Sequence, residues 1–216
     1  MTPLFAPMPA PMIPVIGEDT GFPVHRIFCV GRNYEAHAKE MGGEVDREAP
    51  WYFTKSPAHV CLSGSVVPFP QGTSNYHHEM EMAVYLGADS DIIGYGSALD
   101  MTRRDRQQDG KDNRRPWSLG KDVENAAVLT PITRGFAVDG QRIWLSVNGE
   151  MRQDATLTEL VWSVPEVINH LSQFYHLGAG DVILTGTPAG VGPVVAGDKI
   201  EGGVDGLETV SLTLTA

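Results

Sequence analysis

The chain has 216 residues, 42% of them hydrophobic, which is enough to bury one sizeable core and suits one domain better than two. A formal net charge of −11 argues against non-specific binding to nucleic acid or anionic membrane surfaces, because the long-range field repels both. A small anionic substrate would need local positive charge, from basic side chains or from a metal ion.

Met1 to Ile16 is rich in Pro and Met but lacks the basic start and unbroken apolar run of a secretory signal. Residues 1–23 are therefore expected to be a short, irregular arm ahead of a single domain over 24–216. No run of about 18 apolar residues occurs, which excludes a membrane-spanning helix. Cys29 and Cys61 stand outside any Cys-x-x-Cys arrangement and read as free thiols in a reducing cytoplasm.

Glycine (24) and proline (15) punctuate the chain, and the runs between them have β rather than helical character. Arg26 to Val30, Val66 to Phe69, Glu79 to Leu86, Ile92 to Leu99, Ile143 to Val147, Asp181 to Thr185, Lys199 to Glu201 and Glu208 to Thr215 are the predicted strands. A short helix is predicted over Tyr34 to Met41, ended by Gly42-Gly43. A stronger one starts at Ser163, which forms a capping-box pattern with Glu166 around Pro165, and runs to about His176 with Val167, Ile168, Leu171, Phe174 and Tyr175 as its buried stripe. The expectation is a mainly β domain with a few short helices.

The most informative segment is Tyr76-His77-His78-Glu79-Met80-Glu81-Met82-Ala83-Val84-Tyr85-Leu86. Its two-residue period sets Glu79 and Glu81 on one face and Met80, Met82, Val84 and Leu86 on the other. Adjacent carboxylates in a pocket need protonation, basic side chains or a cation, and hard oxygen pairs suit Mg²⁺, Mn²⁺ or Ca²⁺. On a solvated face they need nothing. Asp100, after a buried-looking strand, offers either a third oxygen to the same ion or a helix N-cap. Arg104 and Gln107 lie one turn apart if a helix follows it. His37 and Glu40 share a helix face, where a carboxylate orients an imidazole as a general base unless the two are an ordinary surface pair. Lys121, after Trp117-Ser118-Leu119-Gly120, reads as a confined lysine in need of an anionic partner, and Lys55 is a weaker case. Leu184-Thr185-Gly186-Thr187-Pro188-Ala189-Gly190-Val191-Gly192 fits neither nucleotide-binding template. It remains a tight loop offering N–H groups and the Thr187 hydroxyl to a carboxylate or oxyanion, or else a plain turn.

Taken in order, Gly31-Arg32-Asn33-Tyr34 with His37 and Glu40, His77-His78-Glu79-Met80-Glu81, Asp100-Met101-Thr102 through Arg104-Asp105 and Gln107, Lys121, Val147-Asn148-Gly149-Glu150 and Leu184-Thr185-Gly186-Thr187-Pro188 give a chain that resembles the fumarylacetoacetate hydrolase superfamily. It is most similar to the short acylpyruvate and fumarylpyruvate hydrolases. The resemblance implies a mixed β-roll, usually dimeric, with Mg²⁺ or Mn²⁺ on Glu79, Glu81 and Asp100 and a lid helix bearing His37 and Glu40. It implies hydrolysis of a carbon–carbon bond in a fumarylpyruvate-like diketo acid from aromatic ring cleavage. His37, Glu40, Lys121 and Gln107 are the expected catalytic residues, and Arg32, Tyr34, Arg104 and Thr187 the expected substrate contacts. Oxaloacetate decarboxylation, muconate-type isomerisation with decarboxylation, and a non-catalytic metal site are the alternatives. Ser56 between Lys55 and Pro57, and Asp122 to Thr130, depart from the family pattern next to the pocket.

Overall fold

The computed structural model describes residues 1–43 and 47–216. In chain order its elements are β1 (Met12–Pro14), β2 (Gly21–Pro23), β3 (Arg26–Gly31), α1 (Glu35–Glu40), β4 (Trp51–Lys55), β5 (Val60–Leu62), β6 (Ser65–Pro68), β7 (Tyr76–His78), β8 (Met80–Leu86), β9 (Ile92–Asp100), β10 (Thr102–Arg103), α2 (Arg104–Asp112) and α3 (Ser118–Lys121). They continue with β11 (Ala127–Leu129), β12 (Arg142–Val147), β13 (Glu150–Thr156), α4 (Val164–Leu171), β14 (Asp181–Leu184), β15 (Gly192–Val194), β16 (Lys199–Val204) and β17 (Val210–Thr215). The fold is mainly β, as expected.

A seven-stranded mixed sheet, ordered β4-β3-β14-β8-β9-β11-β5, forms the centre. A five-stranded sheet, ordered β13-β12-β16-β17-β6, packs against one face of it. The period of two in β8 decides how the layers fit. Met80, Met82, Val84 and Leu86 point into a core shared with Ile143, Leu145, Ile200, Leu212 and Leu214 of the second sheet. Ala83 and Tyr85 point the other way, into a second core with Ile27, Cys29, Leu129 and Leu184. β8 is therefore buried on both faces.

The second core changes the reading of the N-terminus. β1 and β2 form an antiparallel hairpin (Met12↔Pro23, Ile13↔Phe22, Pro14↔Gly21) that seats Ile13, Val15 and Phe22 on the central sheet. Phe22 meets Tyr85 edge-on, with ring centroids 5.2 Å apart. Residues 12–23 are thus part of the packed domain rather than an irregular arm. Their prolines hid this from the sequence, yet a two-stranded ribbon consists only of edges, where a missing N–H is tolerated.

The capping pattern at Ser163 forms, with the Glu166 carboxylate accepting from the Ser163 N–H (2.8 Å) and Oγ (2.7 Å). Helix α4 nevertheless ends at Leu171, short of His176. The helical phase that would have buried Phe174 and Tyr175 is lost, and both are exposed.

Candidate active site

The β8–β9 hairpin assembles the acidic cluster. Its register pairs Met80 with Leu99 and Glu81 with Ala98, and the Asp100 N–H donates to the Glu79 carbonyl at 2.9 Å. Glu79, Glu81 and Asp100 each offer a carboxylate oxygen within 4.8 Å of the others, and all three are buried. The N-cap alternative for Asp100 fails, because α2 starts at Arg104 with Arg103 as its cap residue.

Three cations converge on these carboxylates. Lys121 Nζ donates to Glu79 Oε2 (2.6 Å), Asp100 Oδ2 (2.8 Å) and Thr102 Oγ1 (2.8 Å). Arg104 donates to Glu79 Oε1 and, at 2.6 Å, to Gln107 Oε1. Lys55 Nζ lies 2.8 Å from Asp100 Oδ1 as a fully buried ion pair. Burial alone would raise the Glu79 pKa, but Lys121 and Arg104 outweigh it and hold this carboxyl well below the usual carboxylate range. Glu81 goes the other way. Burial, then repulsion from Asp100 and Glu79, pushes it well above that range, and it accepts one hydrogen bond, from the Gly186 N–H at 2.6 Å.

These residues fit a divalent cation. The donor set is all hard oxygen, Glu81 has no cationic partner among the described residues, and the buried Asp100 Oδ1 accepts no hydrogen bond despite its ion pair.

The base candidates sit across the cleft. His37 is buried on α1, with Nδ1 3.2 Å from Glu40 Oε2. Burial lowers its pKa further than Glu79 and Glu40 raise it, so the ring is neutral near pH 7 and Nε2 is left to work. Glu40 also accepts from the Gly190 N–H at 3.0 and 3.2 Å, which ties α1 to the glycine-rich loop. Two glycines of that loop are required by geometry. Gly186 has φ +95°, and a Cβ there would lie 2.7 Å from the Asn33 Cβ; Gly190 has φ +96°, and a Cβ would lie 2.0 Å from the Arg152 carbonyl oxygen.

Arg32, His37, Glu79, Glu81, Arg104, Gln107, Lys121 and Thr187 line one cleft. Glu40 stands behind His37, and Asp100 is buried beside Lys121. Tyr34 does not join them. It is packed in the core just ahead of α1, 1% exposed, with its backbone bridged to Leu160 and its hydroxyl without a partner among the described residues.

The sequence reading missed several residues. Trp51 and Phe53 line the cleft from β4, and Lys55 beyond them, which the sequence marks only weakly as a lysine in need of an anionic partner, finds that partner in Asp100. The signal was there, since period two puts all three on one face. Trp117 and Lys111 also line the cleft. Gln153, fully buried, donates to Thr187 Oγ1 (2.8 Å) and the Pro188 carbonyl (2.8 Å) and so fixes the loop; a lone glutamine in a strand gives no advance sign of this.

A fumarylpyruvate hydrolase from Ralstonia sp. is 46% identical over 81% of this chain and 98% of its own length. A mitochondrial oxaloacetate tautomerase of Arabidopsis thaliana is 38% identical over 86% of this chain and 88% of its own. The crystal structure of fumarylpyruvate hydrolase from Pseudomonas aeruginosa, in complex with Mn²⁺ and pyruvate, superposes with a TM-score of 0.93 at 38% identity, covering 99% of both chains. Residues 26–215 match the fumarylacetoacetate hydrolase C-terminal family, and the chain belongs to it.

Proposed function

We propose that this chain is a metal-dependent hydrolase that cleaves the carbon–carbon bond of an acylpyruvate, with fumarylpyruvate as the favoured substrate, to pyruvate and a carboxylic acid. The observation that carries this reading is that one cleft holds both the acidic trio and a neutral, carboxylate-oriented imidazole. Held by Glu79, Glu81 and Asp100, Mg²⁺ or Mn²⁺ would supply Lewis acidity at the pyruvate end of the substrate.

The protein's own groups do the rest. Glu40 fixes the His37 tautomer, so Nε2 takes a proton from the attacking water. Water adds to the distal acyl carbonyl, Gln107 and the Thr187 hydroxyl donate to the oxyanion that forms, and Lys121, whose three N–H groups are held by Glu79, Asp100 and Thr102, stabilises it as a nearby positive charge. Thr187 is free to donate because Gln153 already uses its lone pair. Collapse of this intermediate breaks the bond to the methylene carbon, whose electron pair leaves as the enolate of pyruvate and takes up a proton. Arg104, bonded to Glu79 and Gln107, faces the substrate's pyruvate carboxylate from the same wall.

The tautomerase relatives favour a second reading, keto–enol exchange of oxaloacetate in the same site. Turnover of fumarylpyruvate, acetylpyruvate and oxaloacetate, with added Mg²⁺ or Mn²⁺ and with chelator, separates the two. The proposal expects chelator-sensitive pyruvate release from an acylpyruvate and its loss in His37→Ala by about 10²–10⁴-fold. Full acylpyruvate cleavage by His37→Ala, or turnover indifferent to chelation, defeats it. The reading includes a cytoplasmic homodimer serving aromatic ring-cleavage catabolism; no helix among the described residues is long and apolar enough to cross a membrane.

A further inference from the structure

Among the described residues, four cations line the cleft, Arg32, Arg104, Lys111 and Lys121. Two of them are already neutralised, Arg104 by Glu79 and Lys121 by Glu79 and Asp100. Arg32 and Lys111 are not, since neither forms an ion pair or a side-chain hydrogen bond with a carboxylate among the described residues. Lys111 is half-buried, with Nζ 5.1 Å from the Trp117 ring centroid. Trp117 in turn meets Trp51 edge-on, with centroids 4.7 Å apart. Burial, then the charges of Arg104 and Arg32, hold the Lys111 ammonium below the usual lysine range. Two such cations side by side repel, and an incoming anion would relieve that repulsion.

Their position says which anion. Arg104, Gln107 and Lys111 occupy one face of α2 at i, i+3 and i+7. The helix rise sets Lys111 about 10 Å from Arg104 along the axis, the scale of an extended diketo acid with a carboxylate at each end. Between the two cationic ends the walls are aromatic, from Trp51, Phe53 and Trp117, and suit an unsaturated carbon chain. Arg32 stands at the exposed mouth, with its backbone in the left-handed region at φ 54°.

We infer that Arg32 and Lys111 clamp the distal carboxylate of the substrate, and that this pair makes the site select dicarboxylate over monocarboxylate acylpyruvates. The inference rests on the functional reading above and deepens it.

The test compares kcat/KM for fumarylpyruvate and acetylpyruvate in the wild type, Lys111→Met and Lys111→Arg. Lys111→Met should reduce the ratio of the two values by roughly ten- to a hundredfold, the loss of one charge-assisted contact. Lys111→Arg should keep it within a few fold. An unchanged ratio in Lys111→Met overturns the clamp, including the case where both substrates suffer alike. Equilibrium binding of fumarate and of crotonate, its monocarboxylate counterpart, gives a readout independent of turnover. The wild type should prefer fumarate, and Lys111→Met should erase the preference; equal binding by the wild type overturns the clamp. If the wild type cleaves neither acylpyruvate, the functional reading falls while the binding comparison still decides the clamp.

Discussion

Glu81→Gln is the substitution whose consequences follow most directly from the acidic cluster. In chelated protein, burial and the neighbouring Asp100 and Glu79 raise the Glu81 pKa well above 4.5, so the folded state holds a proton that the unfolded chain has released. A carboxyl raised in this way contributes stability that is fully present below its unfolded pKa and is lost as pH rises through the folded one. The slope is at most about 1.4 kcal/mol per pH unit for one proton. Glutamine copies the protonated form and still accepts from the Gly186 N–H, so chelated Glu81→Gln should lack this decline and match or exceed the wild type near pH 7–8. With the ion present the order should reverse. An ion at 100 times its Kd adds about 2.7 kcal/mol to a protein that binds it only when folded. At about 2–4 °C per kcal/mol for a chain of this size, that is a rise in Tm of roughly 5–10 °C. Glu81→Gln should lose most of this rise. Melting curves from pH 5 to 8, with EDTA and with Mn²⁺, provide the assay. Chelated curves that fall in parallel with pH, or an equal Mn²⁺ shift in both proteins, would refute the charge assignment.

Two further substitutions probe the opposite wall. In Glu40→Gln, His37 loses a charge that raises its pKa. The acid limb of the kcat/KM profile, set by protonation of the base, should therefore move to lower pH as the plateau falls; a limb that stays put or moves up would remove Glu40 from that role. Gly190→Ala places a methyl 2.0 Å from the Arg152 carbonyl oxygen at φ +96°. The left-handed backbone alone costs a non-glycine residue about 1–2 kcal/mol, so denaturant unfolding should show at least that loss. Activity should fall further, because the displaced loop gives up its hydrogen bonds to Glu40; unchanged stability would mean that the loop adjusts freely.

What could be read from the sequence divides according to the range of the interaction. The Glu79/Glu81 pair, the strand that carries it and the His37/Glu40 spacing are local periodicities, and each side chain lies where its period puts it. Phe174 and Tyr175 show the limit of the same signal, since their phase was right and the helix simply stopped at Leu171. Interactions between distant segments were harder. The residues around Lys55 mark a lysine that needs an anion but do not say which one: Asp100, 45 positions along the chain, ends β9, which β3, β14 and β8 separate from β4 in the central sheet. That separation matters to the chemistry. Lys55 and Lys121 approach the cluster from different elements, and each is buried. Neither lysine can leave for water without unfolding its surroundings, so Lys55 stays on Asp100 and Lys121 on Glu79 and Asp100. Glu81, which neither of them reaches, is left as the uncompensated acid of the cluster. An incoming cation therefore gains most at Glu81, where it displaces a proton rather than a lysine, because the protein places its own cations elsewhere.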